Sequence, residues 1–194
     1  MTKTVAFALC GSFCCFDTVL ARLPELTAQG FSLLPVMSAH AAGTDTRFGT
    51  AGSYRQQLAN LTGQPVRCTL TDTEPLGPRR LADALLIAPC TGNTLGKLAL
   101  GITDTPVTMA AKSMLRVGLP VVIALSTNDG LAASFQNIGR LMNTKNIYFV
   151  PFRQDDPAAK PSGLQAEFGL MGRALTAALE GRQLQPVVLG AVGG

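Results

Sequence analysis

The sequence predicts a single α/β domain of three-layer α/β/α, Rossmann-like (flavodoxin-like) architecture around a parallel sheet. Three observations predict it. Largely apolar runs recur at 4–9, 31–37, 84–88 and 120–125, as expected of strands buried on both faces. Helix-length segments separate them, and parallel neighbours need connections of that length. Polar, Gly- and Thr-rich punctuation falls just after the runs, where ligands bind in such sheets.

The first run ends at Cys10-Gly11-Ser12. Residues 13–28 then read as a helix with Val19, Leu20, Leu23 and Leu26 on one face, which Pro24 should kink or shorten and Gly30 should end. The second strand covers 31–37. Residues 38–52 are rich in Ala, Gly and Thr and read as a loop or lid. A short helix is expected at 53–61 and a short strand at 66–70. Pro75, Gly77 and Pro78 make 71–80 a connection. The strand at 84–88 should stop at Pro89. Helices follow at 94–100 and 106–117, then a strand at 120–125, a helix at 130–142 and a last strand at 147–150. Asp155-Asp156-Pro157 and Pro161 mark 153–163 as a loop, and 164–180 should be the closing helix. The domain should span 1–184, with a C-terminal tail over 185–194.

Composition narrows the function classes. The chain has 194 residues, 47% hydrophobic and 14% charged, which suits one domain with a full core and excludes disorder. So little charge also implies surface buried in a homo-oligomer. The formal charge is +4, yet Arg79-Arg80 is the only adjacent basic pair, and a nucleic-acid footprint would be a clustered stripe. No stretch reaches the roughly 18 apolar residues of a membrane helix. The apolar residues after Lys3 are cut short by Gly11-Ser12, so they read as a buried strand rather than a signal peptide, and a cytoplasmic protein is expected. Five cysteines, an odd number with no CxxC, read as small buried hydrophobes rather than a disulfide framework. Cys14 and Cys15 would lie in the first turn of a helix, whose dipole favours thiolate. One histidine excludes a His-based metal site, and no metal is expected.

Four strand ends carry the candidate chemistry. At the first, Gly11 lets backbone approach a phosphate, Ser12 adds a hydroxyl and Phe13 opens the helix; an ordinary Gly-Ser turn is the alternative. Ser38 follows the second. After the third, Ala88-Pro89-Cys90-Thr91-Gly92-Asn93-Thr94-Leu95-Gly96-Lys97 and then Gly101-Ile102-Thr103-Asp104 offer hydroxyls and an amide to a polar ligand. Simple helix capping by Asn93 or Thr94 explains the same residues. Ser126, Thr127 and Asn128 follow the fourth. His40 could act as acid or base, or be structural. Arg153 and Lys160 could receive two carboxylates, or be solvated loop charges. Neither GxGxxG nor GxxxxGK[ST] is present.

The third-strand run resembles the P-A-S/T-x-N-T-x-x-K-x-x-x-G-I-x-D signature of the flavin-dependent cysteine decarboxylase superfamily. Gly11-Ser12-Phe13 resembles that superfamily's phosphate loop, Ser38 its Ser/Thr after the second strand, and 120–128 its segment ending P-A-M-N. Asn137-Ile138-Gly139-Arg140-Leu141 continues the likeness. The resemblance implies FMN held by Gly11, Ser12, Phe13, Ser38, Pro89, Thr91, Asn93, Thr94, Ser126 and Thr127. The departures are specific: the decarboxylase histidine and cysteine-bearing clamp are missing, and Leu125-Ser126-Thr127-Asn128 keeps only the asparagine. Pro151-Phe152-Arg153-Gln154-Asp155-Asp156-Pro157, with Lys160-Pro161-Ser162-Gly163-Leu164 and the run from Ala178 to Pro186, is similar to the dipicolinate synthase B-subunit branch. That branch implies dipicolinate formation from a dihydrodipicolinate-type precursor, with an A subunit carrying NADP, in the mother cell of a sporulating bacterium. Asn128 and His40 are the catalytic candidates, and Arg153 and Lys160 the candidate contacts to a dicarboxylate. A flavin-dependent decarboxylase and a non-catalytic ligand-binding subunit remain the alternatives.

Overall fold

Along Lys3–Leu9 (β1) the side chains divide by parity. Val5, Phe7 and Leu9 enter one core, and Ala6, Ala8 and Cys10 the other. That period of two is what a strand between two layers requires. The computed structural model describes residues 2–190. In it, β1 pairs in parallel with Phe31–Met37 (β2) and Ala84–Cys90 (β3), β3 with Val121–Thr127 (β4), and β4 with Ile147–Phe149 (β5). The order β2-β1-β3-β4 reverses direction of growth at β1, so the loops after β1, β3 and β4 lie side by side.

One layer holds Phe16–Leu20 (α1), Leu23–Ala28 (α2), Ala39–Gly43 (α3), Ala51–Thr62 (α4) and the late helix over Met171–Leu179. Leu70–Thr73 (α5) is a single capped turn in a connection. The other layer holds Gly92–Leu100 (α6), Pro106–Leu115 (α7) and Phe135–Met142 (α8), which bring Leu95, Val107, Met114, Ile138 and Leu141 onto Ala6, Leu85, Ile87 and Ile123. Met171–Leu179 is α9. Among the described residues no helix is long and apolar enough to cross a membrane.

Several elements differ from the expectation. The helix at 13–28 is a 3-10 turn over Phe13–Cys15 followed by α1 and α2, and it breaks at Ala21 and Arg22 so that Pro24 sits in a new first turn, where its missing N–H costs nothing. The expected lid at 38–52 contains α3, because Ser38 Oγ accepts the Ala41 N–H at 3.2 Å and caps it. The strand expected at 66–70 is one bridge, Val36 to Arg67, since Thr69 and Asp72 form a capping box that starts α5 instead. β3 runs through Pro89 to Cys90, with a register shift against β4 after Ile87. α8 begins at Phe135 rather than at 130.

The sheet also continues beyond its parallel part. Phe152–Arg153 (β6) and Leu164–Ala166 (β7) form an antiparallel pair, and β7 pairs antiparallel with Ser126 and Thr127. The segment read as a loop, together with the first residues of the expected closing helix, is therefore a small hairpin attached to the end of β4, and the helix itself begins only at Met171. Its strands have only two and three residues, too short for periodicity to show. Phe152 also exchanges backbone hydrogen bonds with Val187 and Leu189, so the start of the C-terminal tail is held against β6; 191–194 lie outside the described residues.

Candidate functional site

The carboxyl ends of β1, β2 and β3 enclose a cavity of about 560 Å³. Gly11 and Phe13 come from the loop after β1, Ser38 and His40 from the start of α3, and Thr91, Asn93 and Thr94 from the start of α6. Lys97, Asp104 and Thr105 complete the wall. The β1 and β3 loops are tied directly: Cys10 N–H donates to the Pro89 carbonyl at 3.3 Å, and the Thr94 hydroxyl to Cys10 Sγ at 3.3 Å. Thr91 Oγ1 accepts the Thr94 N–H at 3.2 Å and so caps α6.

A second, polar cavity of about 70 Å³ lies on the other side of the β1 loop. Ser12 and Cys14 face it, with Ser126, Thr127 and Asn128 from β4 and Lys160, Asp155 and Gln165 from the hairpin. Ser12 Oγ and Ser126 Oγ share a hydrogen bond of 3.1 Å, and Cys15 Sγ shares another with Ser126 Oγ at 3.2 Å. The loop over 11–14 is thus a partition whose residues alternate between the two cavities. Ser12's own N–H is spent on the Cys10 carbonyl at 2.8 Å, which leaves its hydroxyl as its group for a ligand.

The expected residues do not all converge. His40 is exposed on α3 in the larger cavity, while Asn128 is exposed at the end of β4 in the smaller one. Pro89 is buried within β3 and holds Cys10 rather than facing a ligand. Lys160 reaches the smaller cavity and donates to Asp155 at 2.9 Å, a bond that, with the Asp155 charge, raises its pKa. Arg153 faces neither cavity; it pairs with Glu167 at 3.3 Å and opens onto an apolar groove along α8. Of the two cations, only Lys160 therefore lies beside Asn128.

Other residues here were not assigned roles from the sequence. Lys97 Nζ donates to both carboxylate oxygens of Asp104 at 2.8 Å, and this bond lowers the Asp104 pKa. The K-x6-D spacing within the third-strand motif was the available signal. Gln165 gave none, since it lies in an unrecognised strand; Cys14 stands out in the sequence only for its place in a helix's first turn, and that turn is 3-10. Burial drives the Cys10 thiol up to about 11 and Cys90 well above the ordinary thiol range. Those two cysteines are core residues, as the composition suggested.

A family model described as Flavoprotein matches residues 3–165. The dipicolinate synthase B subunit of Bacillus subtilis (strain 168) is 41% identical over 187 residues, covering 96% of this chain and 94% of that one. The crystal structure of the B subunit of dipicolinate synthase from Bacillus halodurans superposes with a TM-score of 0.88 at 41% identity, over 97% of this chain and 96% of that one. The FMN-dependent cysteine decarboxylase SpaF shares the fold, with a TM-score of 0.64 at 23% identity over 92% and 97% of the two chains.

Proposed function

The chain belongs to the flavoprotein family, in its dipicolinate synthase B-subunit branch, and we propose that, with an A subunit carrying NADP, it forms dipicolinate from a dihydrodipicolinate-type precursor. The observation that carries the reading is the two-sided β1 loop. It sets a large cavity for a cofactor directly against a small polar cavity that holds Asn128 and the Lys160 ammonium.

The larger cavity fits FMN in size and chemistry. Its volume lies within the roughly 300–1,000 Å³ of small-molecule sites. Its wall offers an aromatic face at Phe13, hydroxyls at Ser38, Thr91 and Thr94, and the Asn93 amide. Gly11 lets backbone come close, whereas Ser12, Ser126 and Thr127, expected from the sequence to touch the cofactor, line the smaller cavity across the β1 loop. FMN, when bound, supplies a two-electron acceptor for hydride.

The protein's own residues then bind and orient. Lys160 exchanges its Asp155 partner for a substrate carboxylate, a charge-assisted contact. Asn128 presents both a donor and an acceptor to the ring or to that carboxylate. Aromatisation removes a hydride and a proton; His40 stands on the wall of the larger cavity, across the β1 loop from Asn128 and Lys160, so the proton of a substrate held there passes to solvent rather than to His40. Without a dinucleotide fingerprint the chain does not hold NADP by the usual loop, which assigns that cofactor to the partner. On this reading the pair works in the cytoplasm of a sporulating mother cell. We further propose a homo-oligomer. Most of α7's apolar residues are spent on the chain's own core, so the exposed Leu131, Phe135 and Met142 along α8 are the better seam.

The test is dipicolinate formation, followed by its ultraviolet absorbance, with this chain alone, the A subunit alone, and both, each with and without NADP and FMN. Full turnover only in the pair supports the reading. Full turnover by the A subunit alone refutes it.

A further inference from the structure

After Thr127 the chain turns through Asn128 and Asp129 before α8, and the Asp129 carboxylate is where this turn is fastened. Its Oδ1 accepts the Thr127 hydroxyl hydrogen and, at 2.9 Å, that of Ser134. The Asp129 carbonyl accepts the N–H groups of Ala132 at 2.9 Å and Ser134 at 3.1 Å. Ser134 is 3% exposed and immediately precedes α8, yet its hydroxyl does not cap that helix. It is committed to Asp129.

The other side of this cluster is Gly92, the first residue of α6. A Cβ built there would stand 2.7 Å from Thr127 Oγ1, 2.8 Å from Ser134 Oγ and 2.9 Å from Asp129 Oδ1. Carbon does not approach oxygen so closely, so three oxygens close over a position that only glycine leaves open. Gly92 lies between Thr91 and Asn93 of the larger cavity, and Asp129 directly follows Thr127 and Asn128 of the smaller one.

We propose that Asp129 is a positioning residue: with Thr127 and Ser134 it forms a latch against Gly92 that fixes Asn128 relative to Thr91 and Asn93. The latch holds the β3 and β4 sides of the site at one spacing. Its functional part rests on the reading of Asn128 as a substrate contact. The latch works through hydrogen bonds rather than charge, because one oxygen accepts both hydroxyls and an amide oxygen can do the same.

The test uses the full chain with D129A, D129N, G92A and the G92A/D129A double variant. Hydrogen exchange read by mass spectrometry reports the latch without any ligand, and turnover with the A subunit reports its consequence. In D129A, peptides covering 126–134 should exchange about ten-fold faster or more while β1 peptides are unchanged. Turnover should fall about ten-fold at nearly constant KM. D129N should restore both. G92A should loosen the same peptides, and the double variant should be no worse than the worse single one, since both break one contact. Unchanged exchange in D129A overturns the latch. Loosened exchange with undiminished turnover overturns the positioning role. A D129N variant as impaired as D129A overturns the hydrogen-bond basis. If the native pair makes no dipicolinate, the functional reading fails, and the exchange data still decide the latch. If G92A does not fold, D129A and D129N decide alone.

Discussion

Replacing Thr91 separates helix capping from ligand binding, the two explanations its sequence context allows. Thr91 Oγ1 accepts the Thr94 N–H and donates to Thr94 Oγ1, both at 3.2 Å, while its side chain borders the larger cavity. Thr91→Ala removes the cap, a loss of about 1 kcal/mol. Thr94 keeps its bond to Cys10, so little is added to that cost. In a domain of this size the melting temperature should then fall by about 2–4 °C. Thr91→Asp keeps a capping oxygen and adds a favourable charge at the start of α6, so its melting temperature should stay within about 2 °C of the native value. The same carboxylate repels a bound phosphate: at an effective dielectric of about 20, a separation of about 8 Å would correspond to about 2 kcal/mol per unit charge, roughly thirty-fold in affinity. Differential scanning fluorimetry and FMN titration on one preparation read both effects. If Thr91→Asp binds FMN as the native chain does, Thr91 is a cap and nothing more, and the assignment of the larger cavity to the phosphate-bearing cofactor loses its β3 side.

Lys160→Met should raise KM for the dicarboxylate about ten-fold or more with kcat little changed, because a charge-assisted hydrogen bond is lost. Arg153→Met should leave KM within about three-fold, since Arg153 is held by Glu167 away from the site. The Asp155 bond raises the Lys160 pKa, so the ammonium contribution is present at neutral pH and is lost only as pH rises through that raised value. A KM step below the ordinary lysine range must then belong to another group. With a thiol-specific disulfide reagent near pH 8, exposed Cys14 should react first and half-buried Cys68 later, while Cys10 and Cys90 should need unfolding. Fast reaction of four thiols contradicts this core. Phe135 is 59% exposed on α8, and Phe135→Glu should reduce the assembly mass in light scattering if α8 forms the seam.

The parallel part of the fold was legible because its strands are buried on both faces. Residues 84–88 are apolar without interruption and fully buried, and no helix needs such a run in so short a segment. The hairpin was not legible. β6 and β7 stand in a Pro- and Asp-rich stretch, and their pairing depends on the end of β4 rather than on their own pattern. Local capping decided α3 and α5, and Ser38 and Thr69 were available as signals, but a loop composition and two apolar residues outweighed them. In the site, the loops after β1, β3 and β4 came together as the strand order required. What the sequence could not reveal was the direction of each side chain. Gly11 and Ser12 are neighbours in the chain, yet they face different cavities, and Arg153 and Lys160 are close in sequence with only one of them beside Asn128.

A flavin titration tests the central claim most directly. The purified chain, stripped of bound small molecules, is titrated with FMN while flavin fluorescence is followed. The cavity built by Gly11, Ser38, Thr91 and Asn93 should quench it to saturation at one FMN per chain, with riboflavin, which lacks the phosphate, binding at least about ten-fold more weakly. No saturable quenching at micromolar protein, or equal affinity for FMN and riboflavin, contradicts a phosphate-bearing cofactor at these strand ends.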